Sequence, residues 1–207
     1  MAPPADRHDE LGGSGLLEGP AAARFLRRGH FAYEGGDHGD TSLSLELLFA
    51  DPRRLQRAAA RLAARLRPYG ADLVCGPLIG GALVGQAVAC ELGVAFVYAE
   101  PRTEHSATGA AHAIPGELRQ GLVGKRAIVV DDAINAGSAA LACVRNLESL
   151  GARLVAVASL IVRQSAEGEL RQQVGASFEA LVTIPWKTWP ASECPLCRAG
   201  VELKNCP

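Results

Sequence analysis

Ala127-Ile128-Val129-Val130-Asp131-Asp132-Ala133-Ile134-Asn135-Ala136-Gly137-Ser138 is the stretch whose reading decides the fold. Its first four residues are apolar and have no polar alternate, the pattern of a strand covered on both faces of a parallel sheet. Two carboxylates follow directly. Burying them costs free energy unless they find partners, so they belong at a strand end that opens on a crevice. A turn over Ala133–Gly137 then leads into a helix predicted over Ser138–Leu150, with Gly151 as its terminating residue. Gly137 allows close backbone approach, and the helix start offers free N–H groups and the positive end of a dipole. That combination makes a cradle for phosphate. Asp131 and Asp132 are then placed to hold sugar hydroxyls, directly or through a hard cation such as Mg²⁺. The same residues also suit an ordinary Asp turn ahead of a helix.

A second strand–turn–helix flanks the first on the N-terminal side. Asp72–Gly76 reads as a short apolar strand, and Gly76-Pro77-Leu78-Ile79-Gly80-Gly81-Ala82 as a turn opening a helix that runs to about Leu92. Bare backbone at Leu78, Ile79, Gly80 and Gly81 could receive a second anion such as pyrophosphate, although paired glycines also serve tight helix–sheet packing. Val94–Ala99, Leu154–Val162 and Phe178–Ile184 complete the strands, with a short helix over Ala166–Val174. Apolar strands alternating with helices imply an α/β fold with a parallel sheet covered on both faces, in which ligands sit at the carboxyl ends of the strands. Glu100–Gly121 is long, polar and aperiodic, and loops of that length in compact domains are usually functional or mobile.

Upstream, Asp51-Pro52 opens a helix, Asp as N-cap and Pro at the first position. Leu55, Ala58, Ala59, Leu62, Ala63 and Leu66 form its apolar face, and Arg53, Arg57, Arg61 and Arg65 a stripe that reads as solvated. Residues 21–50 suggest a short helix and then a small hairpin region around Gly35, Gly36 and Asp37.

The chain of 207 residues suits a single domain over residues 21–207, with smaller elements at 21–50 and 185–207 and a core at 51–184. Met1–Pro20 is rich in Gly, Pro and acid and reads as a disordered leader with no secretory pattern. A net charge of −1 gives no bulk attraction to nucleic acid or to an anionic membrane. There is no apolar run of about 18 residues to span a bilayer.

Of the six cysteines, Cys75, Cys90 and Cys143 lie in apolar segments and read as small buried hydrophobes in a reducing cytoplasm. Cys194 and Cys197 form a C-x-x-C pair with Cys206 nearby. No second pair or neighbouring His accompanies them in sequence, so a structural tail with free thiols is expected. Trp186 and Trp189 are expected to pack that tail. His30 and His38 read as structural histidines, with a base pocket as the alternative.

Val129-Val130-Asp131-Asp132 and its Gly-containing loop resemble the ribose-phosphate site of the type I phosphoribosyltransferases, and Gly76–Gly81 resembles their pyrophosphate loop. Gly29-His30-Phe31, Gly35 and Asp37-His38 look like the N-terminal hood of bacterial orotate phosphoribosyltransferases. Gly124-Lys125-Arg126, Val162-Arg163 and the Glu193–Gly200 tail match that branch in order. The resemblance spans roughly residues 20–203. It implies a Rossmann-like core with a hood built from both chain ends. It also implies transfer of a phosphoribosyl group from phosphoribosyl pyrophosphate to a nitrogenous base, orotate first, with Mg²⁺ and a homodimeric assembly. In this reading Asp131, Asp132 and Arg102 are the candidate catalytic residues, the two acids meeting the metal indirectly. Asn135, Ala136, Gly137, Ser138 and Ala139 take the 5-phosphate. Leu78, Ile79, Gly80 and Gly81 take pyrophosphate, and Arg163 and Phe31 take the base.

The chain departs from the family where the phosphate loop usually carries Thr-Thr-Gly-Gly. Here Asn135 and Ala136 replace hydroxyls, and Val162 replaces an Asp. The long loop offers Arg102, Arg119, His105 and His112 but no Lys. A catalytically weakened homologue that binds nucleotide or phosphoribosyl pyrophosphate as a regulator is therefore the alternative, and a transferase for a different base another.

Overall fold

A computed structural model describes residues 25–33, 36–102 and 112–205. The chain divides into two compact units, Leu45–Trp186 and a smaller one built from Met1–Ser44 with Lys187–Pro207. The expected leader and the helix before Phe25 lie outside the described residues.

The large unit holds a six-stranded sheet. Its strands are β3 (Leu73–Pro77), β4 (Ala95–Pro101), β5 (His112–Ala113), β6 (Arg126–Ile134), β7 (Arg153–Arg163) and β8 (Ser177–Ile184). Their spatial order is β5-β4-β3-β6-β7-β8, all parallel except the β4–β5 pair. Strand order reverses between β3 and β6, because the chain leaves β3 for β4 on one side and returns to β6 on the other. Such a reversal opens a crevice at the carboxyl ends of the two strands.

The unit's helices are α1 (Glu46–Phe49), α2 (Pro52–Leu66), α3 (Gly80–Leu92), α4 (Ser138–Ser149) and α5 (Gln164–Val174). Asp51 caps α2 as its sequence requires, accepting from the backbone N–H of Arg53 and Arg54. Ala58, Ala59, Leu62, Ala63 and Leu66 are buried along one face, and the arginine stripe is exposed. The buried odd-numbered residues of the inner strands (Leu73, Cys75, Val97, Ala99, Ala127, Val129, Val157) pack with Ala140, Cys143 and Leu147 of α4 and Leu170 of α5. The continuous apolar reading of β6 and β7 follows from this two-sided burial. At the sheet's other end, Asp72 accepts the backbone N–H of Arg126 at 2.8 Å. That bond and the Arg126 guanidinium hold the Asp72 carboxyl below its ordinary range.

Two expectations are corrected here. Asp131–Ile134 is not loop: β6 continues through it, pairing Asp131 with Ser159, Ala133 with Ile161 and Ile134 with Val162 of β7. The turn itself is thus only Asn135–Gly137. Nor is Glu100–Gly121 free of regular structure among its described residues. Glu100 and Pro101 pair with Ala113 and His112, and a 3₁₀ turn spans Gly116–Arg119. Two-residue pairings leave no period to read in sequence.

The small unit carries a four-stranded sheet, ordered β10-β1-β2-β9. Its strands are β1 (Leu26–Ala32), β2 (Asp37–Leu43), β9 (Thr188–Pro190) and β10 (Lys204–Asn205), and a single turn of helix, α6, spans Pro195–Arg198. The expected hairpin is β1–β2. Two strands from the far end of the chain flank it.

Candidate functional site

Both sequence-derived loops stand at the carboxyl ends of neighbouring strands, β3 and β6. They meet through their own side chains and glycines. A Cβ on Gly80 would collide with the Asp132 carboxylate, and one on Gly81 would lie 2.6 Å from Asp131 Oδ1. The glycines are therefore there because the carboxylates occupy the space a side chain would need. Leu78 N–H donates to Ala99 O at 2.9 Å, and the Leu78–Ile79 peptide is cis. Ile79 is 74% exposed, so the loop's crest faces solvent.

Asp131 is buried, 8% exposed, and accepts the backbone N–H of Asp132 at 3.0 Å. Burial pushes its pKa well up, and the adjacent Asp132 charge adds to the effect. Burial likewise raises Asp132. Among the described residues no Lys, Arg or His forms an ion pair with either carboxylate. A buried carboxylate beside a half-buried one, with no cation among the described residues, is costly, and such pairs mark sites whose partner is a ligand.

After β6 the chain turns through Asn135, Ala136 and Gly137. Gly137 has φ 80°, which a side chain would strain, and its Cβ would meet Leu170. Ser138 then starts α4 with no side-chain cap, leaving the helix N-terminus open to an anion. The Asn135 side-chain oxygen is buried without a hydrogen-bond partner. Arg163, at the end of β7, donates from Nε to Asn135 O at 3.2 Å. The structure thus ties Arg163 to the Asn135 turn, an arrangement its sequence position did not reveal.

The described residues of the polar segment after β4 contribute less than their composition suggests. Arg119 Nε donates to Ile114 O at 2.8 Å, which commits it to the local backbone. His112 sits on β5, and burial lowers its pKa, so at neutral pH it carries no charge. His105 lies outside the described residues. Arg102 is exposed just beyond β4, at the crevice end of the sheet. Phe31 is buried in the small unit, 3% exposed.

The C-x-x-C pair is not the isolated thiol pair that sequence suggested. The fold of the small unit brings His30 and His38, from β1 and β2, into contact with Cys194 and Cys197. No local spacing signals this, because the cysteines lie more than 150 residues further along the chain.

Carboxylates placed for sugar hydroxyls, beside backbone N–H groups placed for an anion, suit a protein that handles a phosphorylated sugar. The chain matches the phosphoribosyl transferase domain family over residues 48–196, and it belongs to that family. Among its relatives are orotate phosphoribosyltransferases. That of Caldanaerobacter subterraneus subsp. tengcongensis is 30% identical over 181 residues, 86% of this chain and 88% of the relative. That of a Methylobacterium strain is 34% identical over 185 residues, 87% of this chain and 88% of the relative. The crystal structure of the Aeropyrum pernix orotate phosphoribosyltransferase shares the fold with a TM-score of 0.64 at 21% identity, covering 79% of this chain and 90% of that one.

Proposed function

We propose that this chain transfers the phosphoribosyl group of phosphoribosyl pyrophosphate to orotate, giving orotidine 5′-phosphate and pyrophosphate, a step of pyrimidine nucleotide biosynthesis. The observation that carries the reading is the acidic pair of buried Asp131 and half-buried Asp132, without a cation partner among the described residues, set against Gly80 and Gly81 beside the open N-terminus of α4. A ring nitrogen of orotate attacks the anomeric carbon. The bond from that carbon to pyrophosphate oxygen breaks, and its electron pair leaves with pyrophosphate. Little covalent work falls to the protein, so positioning and charge placement carry the rate.

Asp131 and Asp132 hold the ribose hydroxyls. The N–H groups of Asn135–Ala139 and the Ser138 hydroxyl receive the 5-phosphate. Leu78–Gly81 receives pyrophosphate along its backbone, and Arg102 offsets the charge developing on it. The family resemblance assigns Phe31 to the base, and for Arg163 it offers the base as the alternative to bracing the Asn135 turn. Among the described residues no cation pairs with the two acids, and their oxygens, meeting the ion indirectly through ribose hydroxyls or water, fit Mg²⁺. When bound, the ion supplies positive charge that stabilises the departing pyrophosphate. The same resemblance supports a cytoplasmic homodimer. No helix among the described residues is long and apolar enough to cross a membrane.

The test is pyrophosphate release from phosphoribosyl pyrophosphate and Mg²⁺ with orotate and a panel of other bases. Turnover is expected with orotate, with other bases at least tenfold slower. A second reading is favoured by the loop hydroxyls that Asn135 and Ala136 replace. Each donor to a charged group is worth about 1.5–3 kcal/mol. A regulator would bind orotidine 5′-phosphate or phosphoribosyl pyrophosphate yet release no pyrophosphate with any base.

Arg163 separates two roles in the same assay. If its main task is to brace the turn through Asn135 O, Arg163→Ala raises KM for phosphoribosyl pyrophosphate about tenfold, one hydrogen bond to a charged group. If it holds the base, KM for orotate rises instead. The 3.2 Å bond to Asn135 predicts the first result.

A further inference from the structure

The small unit holds a cluster that the transfer reaction does not use. His30 Nε2 lies 3.1 Å from His38 Nδ1, 3.3 Å from Cys194 Sγ and 3.6 Å from Cys197 Sγ. Cys197 Sγ is 3.2 Å from His38 Nδ1. All four atoms fall within 4.8 Å of one another. We propose that His30, His38, Cys194 and Cys197 bind one structural zinc ion.

The spacing is that of a coordination sphere. With Zn–S about 2.3 Å and Zn–N about 2.0–2.1 Å, tetrahedral geometry sets N···N at about 3.3 Å and N···S at about 3.6 Å. The four distances above are those edges or slightly shorter, and the remaining two edges lie within 4.8 Å. Two thiolates and two imidazoles are also the donor set that selects zinc over hard cations.

Hydrogen bonding alone does not account for the cluster. His30 Nδ1 lies 2.9 Å from Val201 O, and a carbonyl can only accept, so the proton sits on Nδ1. The neutral ring then keeps one lone pair, at Nε2, directed at three neighbours at once. One lone pair cannot serve a ring nitrogen and two sulfurs, whereas a cation at their centre accepts a lone pair from each. The Val201 carbonyl does what partners of metal-bound histidines do: it fixes tautomer and ring orientation. His30 is buried at 1% exposure and Cys194 likewise at 1%, while Cys197 is exposed, which leaves a path of entry.

The unit has reason to need such a tie. Its buried apolar side chains among the described residues are Phe25, Phe31 and Cys194, and its other buried side chains, His30, Thr41 and Ser42, are polar. A core that small rarely sustains itself, and structural metals commonly compensate. The ion would join the β1–β2 hairpin to α6, sites 164 residues apart in sequence.

The test uses the full chain, purified reduced, without chelator or affinity metal, then loaded with Zn²⁺ and desalted. Elemental analysis is expected to give about one zinc per chain, the stoichiometry of a closed four-ligand site. The double variant Cys194→Ser/Cys197→Ser is expected to retain at least tenfold less, and Cys90→Ser, on α3, as much as the parent. Since metal loss in the double variant could also follow misfolding, Co²⁺ is loaded into the unaltered chain. The expected spectrum has the intense visible bands of four-coordinate Co²⁺ and a sulfur-to-cobalt charge-transfer absorption. The proposal is overturned by a reduced parent chain that retains under about a tenth of an equivalent of zinc where a structural site predicts one, by a Co²⁺ spectrum without charge transfer, or by full zinc retention in the folded double variant.

Discussion

Asp131→Asn is expected to raise the melting temperature of the ligand-free protein at pH 8 while lowering turnover by about 10²–10³, the usual loss when one preorganised charge contact is removed. The two effects have one cause. Asp131 is buried beside Asp132 with no cation partner among the described residues, and its folded pKa lies well above the ordinary value because burial disfavours its charge. A carboxyl whose pKa is raised by folding weakens the fold as pH rises. The penalty is absent below the unfolded value of about 3.9, grows while only the unfolded chain is ionised, and levels off above the folded pKa. The gap in melting temperature between Asp131→Asn and the parent should therefore be near zero at pH 4 and widen towards pH 8. There a gain of about 2–4 °C would correspond to roughly 1 kcal/mol in a chain of this size. Ligand reverses the order. Phosphoribosyl pyrophosphate with Mg²⁺ at 100 times its Kd stabilises the parent by about 2.7 kcal/mol, and the variant, which offers a ribose hydroxyl a neutral amide oxygen in place of a charged carboxylate, by less. Thermal unfolding at several pH values with and without ligand reads both effects. A variant less stable than the parent at pH 8 would mean that Asp131 is held by a partner inside the fold and that its burial is structural.

The same buried charge explains what could be read from sequence and what could not. The strand at Ala127–Val130 was legible because four apolar residues in a row fit a strand covered on both faces. Its extension to Ile134 was not: adjacent carboxylates look like the start of a loop, yet backbone pairing with Ser159, Ile161 and Val162 continues regardless of the side chains. The glycine loop was legible as backbone that tolerates close approach. Why it must be glycine becomes visible only when Asp131 and Asp132 stand over it. β5 left no trace because two residues carry no alternation. Arg163 was visible as a charge after an apolar strand, but its bond to Asn135 depends on the crossing from β7 to the β6 turn. The His30, His38, Cys194 and Cys197 cluster was invisible for a different reason. Its two halves are separated by the whole of the large unit, and only the pairing of β9 and β10 with the N-terminal hairpin reunites them.

Gly80→Ala is expected to lower kcat/KM for phosphoribosyl pyrophosphate by on the order of 10², while leaving the melting temperature within about 2 °C of the parent, under 1 kcal/mol in a chain of this size. The reasoning depends on which atom the new methyl meets. At Gly80 it meets the Asp132 carboxylate, the free end of a side chain that can rotate away, and the backbone there does not need positive φ. Alanine also gains slightly over glycine inside a helix, by roughly 0.5–1 kcal/mol. The fold therefore survives, but a carboxylate turned aside no longer reaches the sugar. Displacements of about 1 Å in positioning groups are enough for losses of that order. The neighbouring glycine gives the opposite balance. At Gly81 the methyl would lie 2.7 Å from Pro77 Cδ as well as 2.6 Å from Asp131 Oδ1, and a proline ring at the end of a buried strand cannot step aside. Gly81→Ala should thus lose stability, typically 1–3 kcal/mol for overpacking, together with activity. Gly168→Ala on α5, where a Cβ meets nothing within 4 Å, serves as the control that keeps both. If Gly80→Ala retains full activity, Asp132 is not held against that loop in the working enzyme, and its role in binding ribose must pass to Asp131 alone.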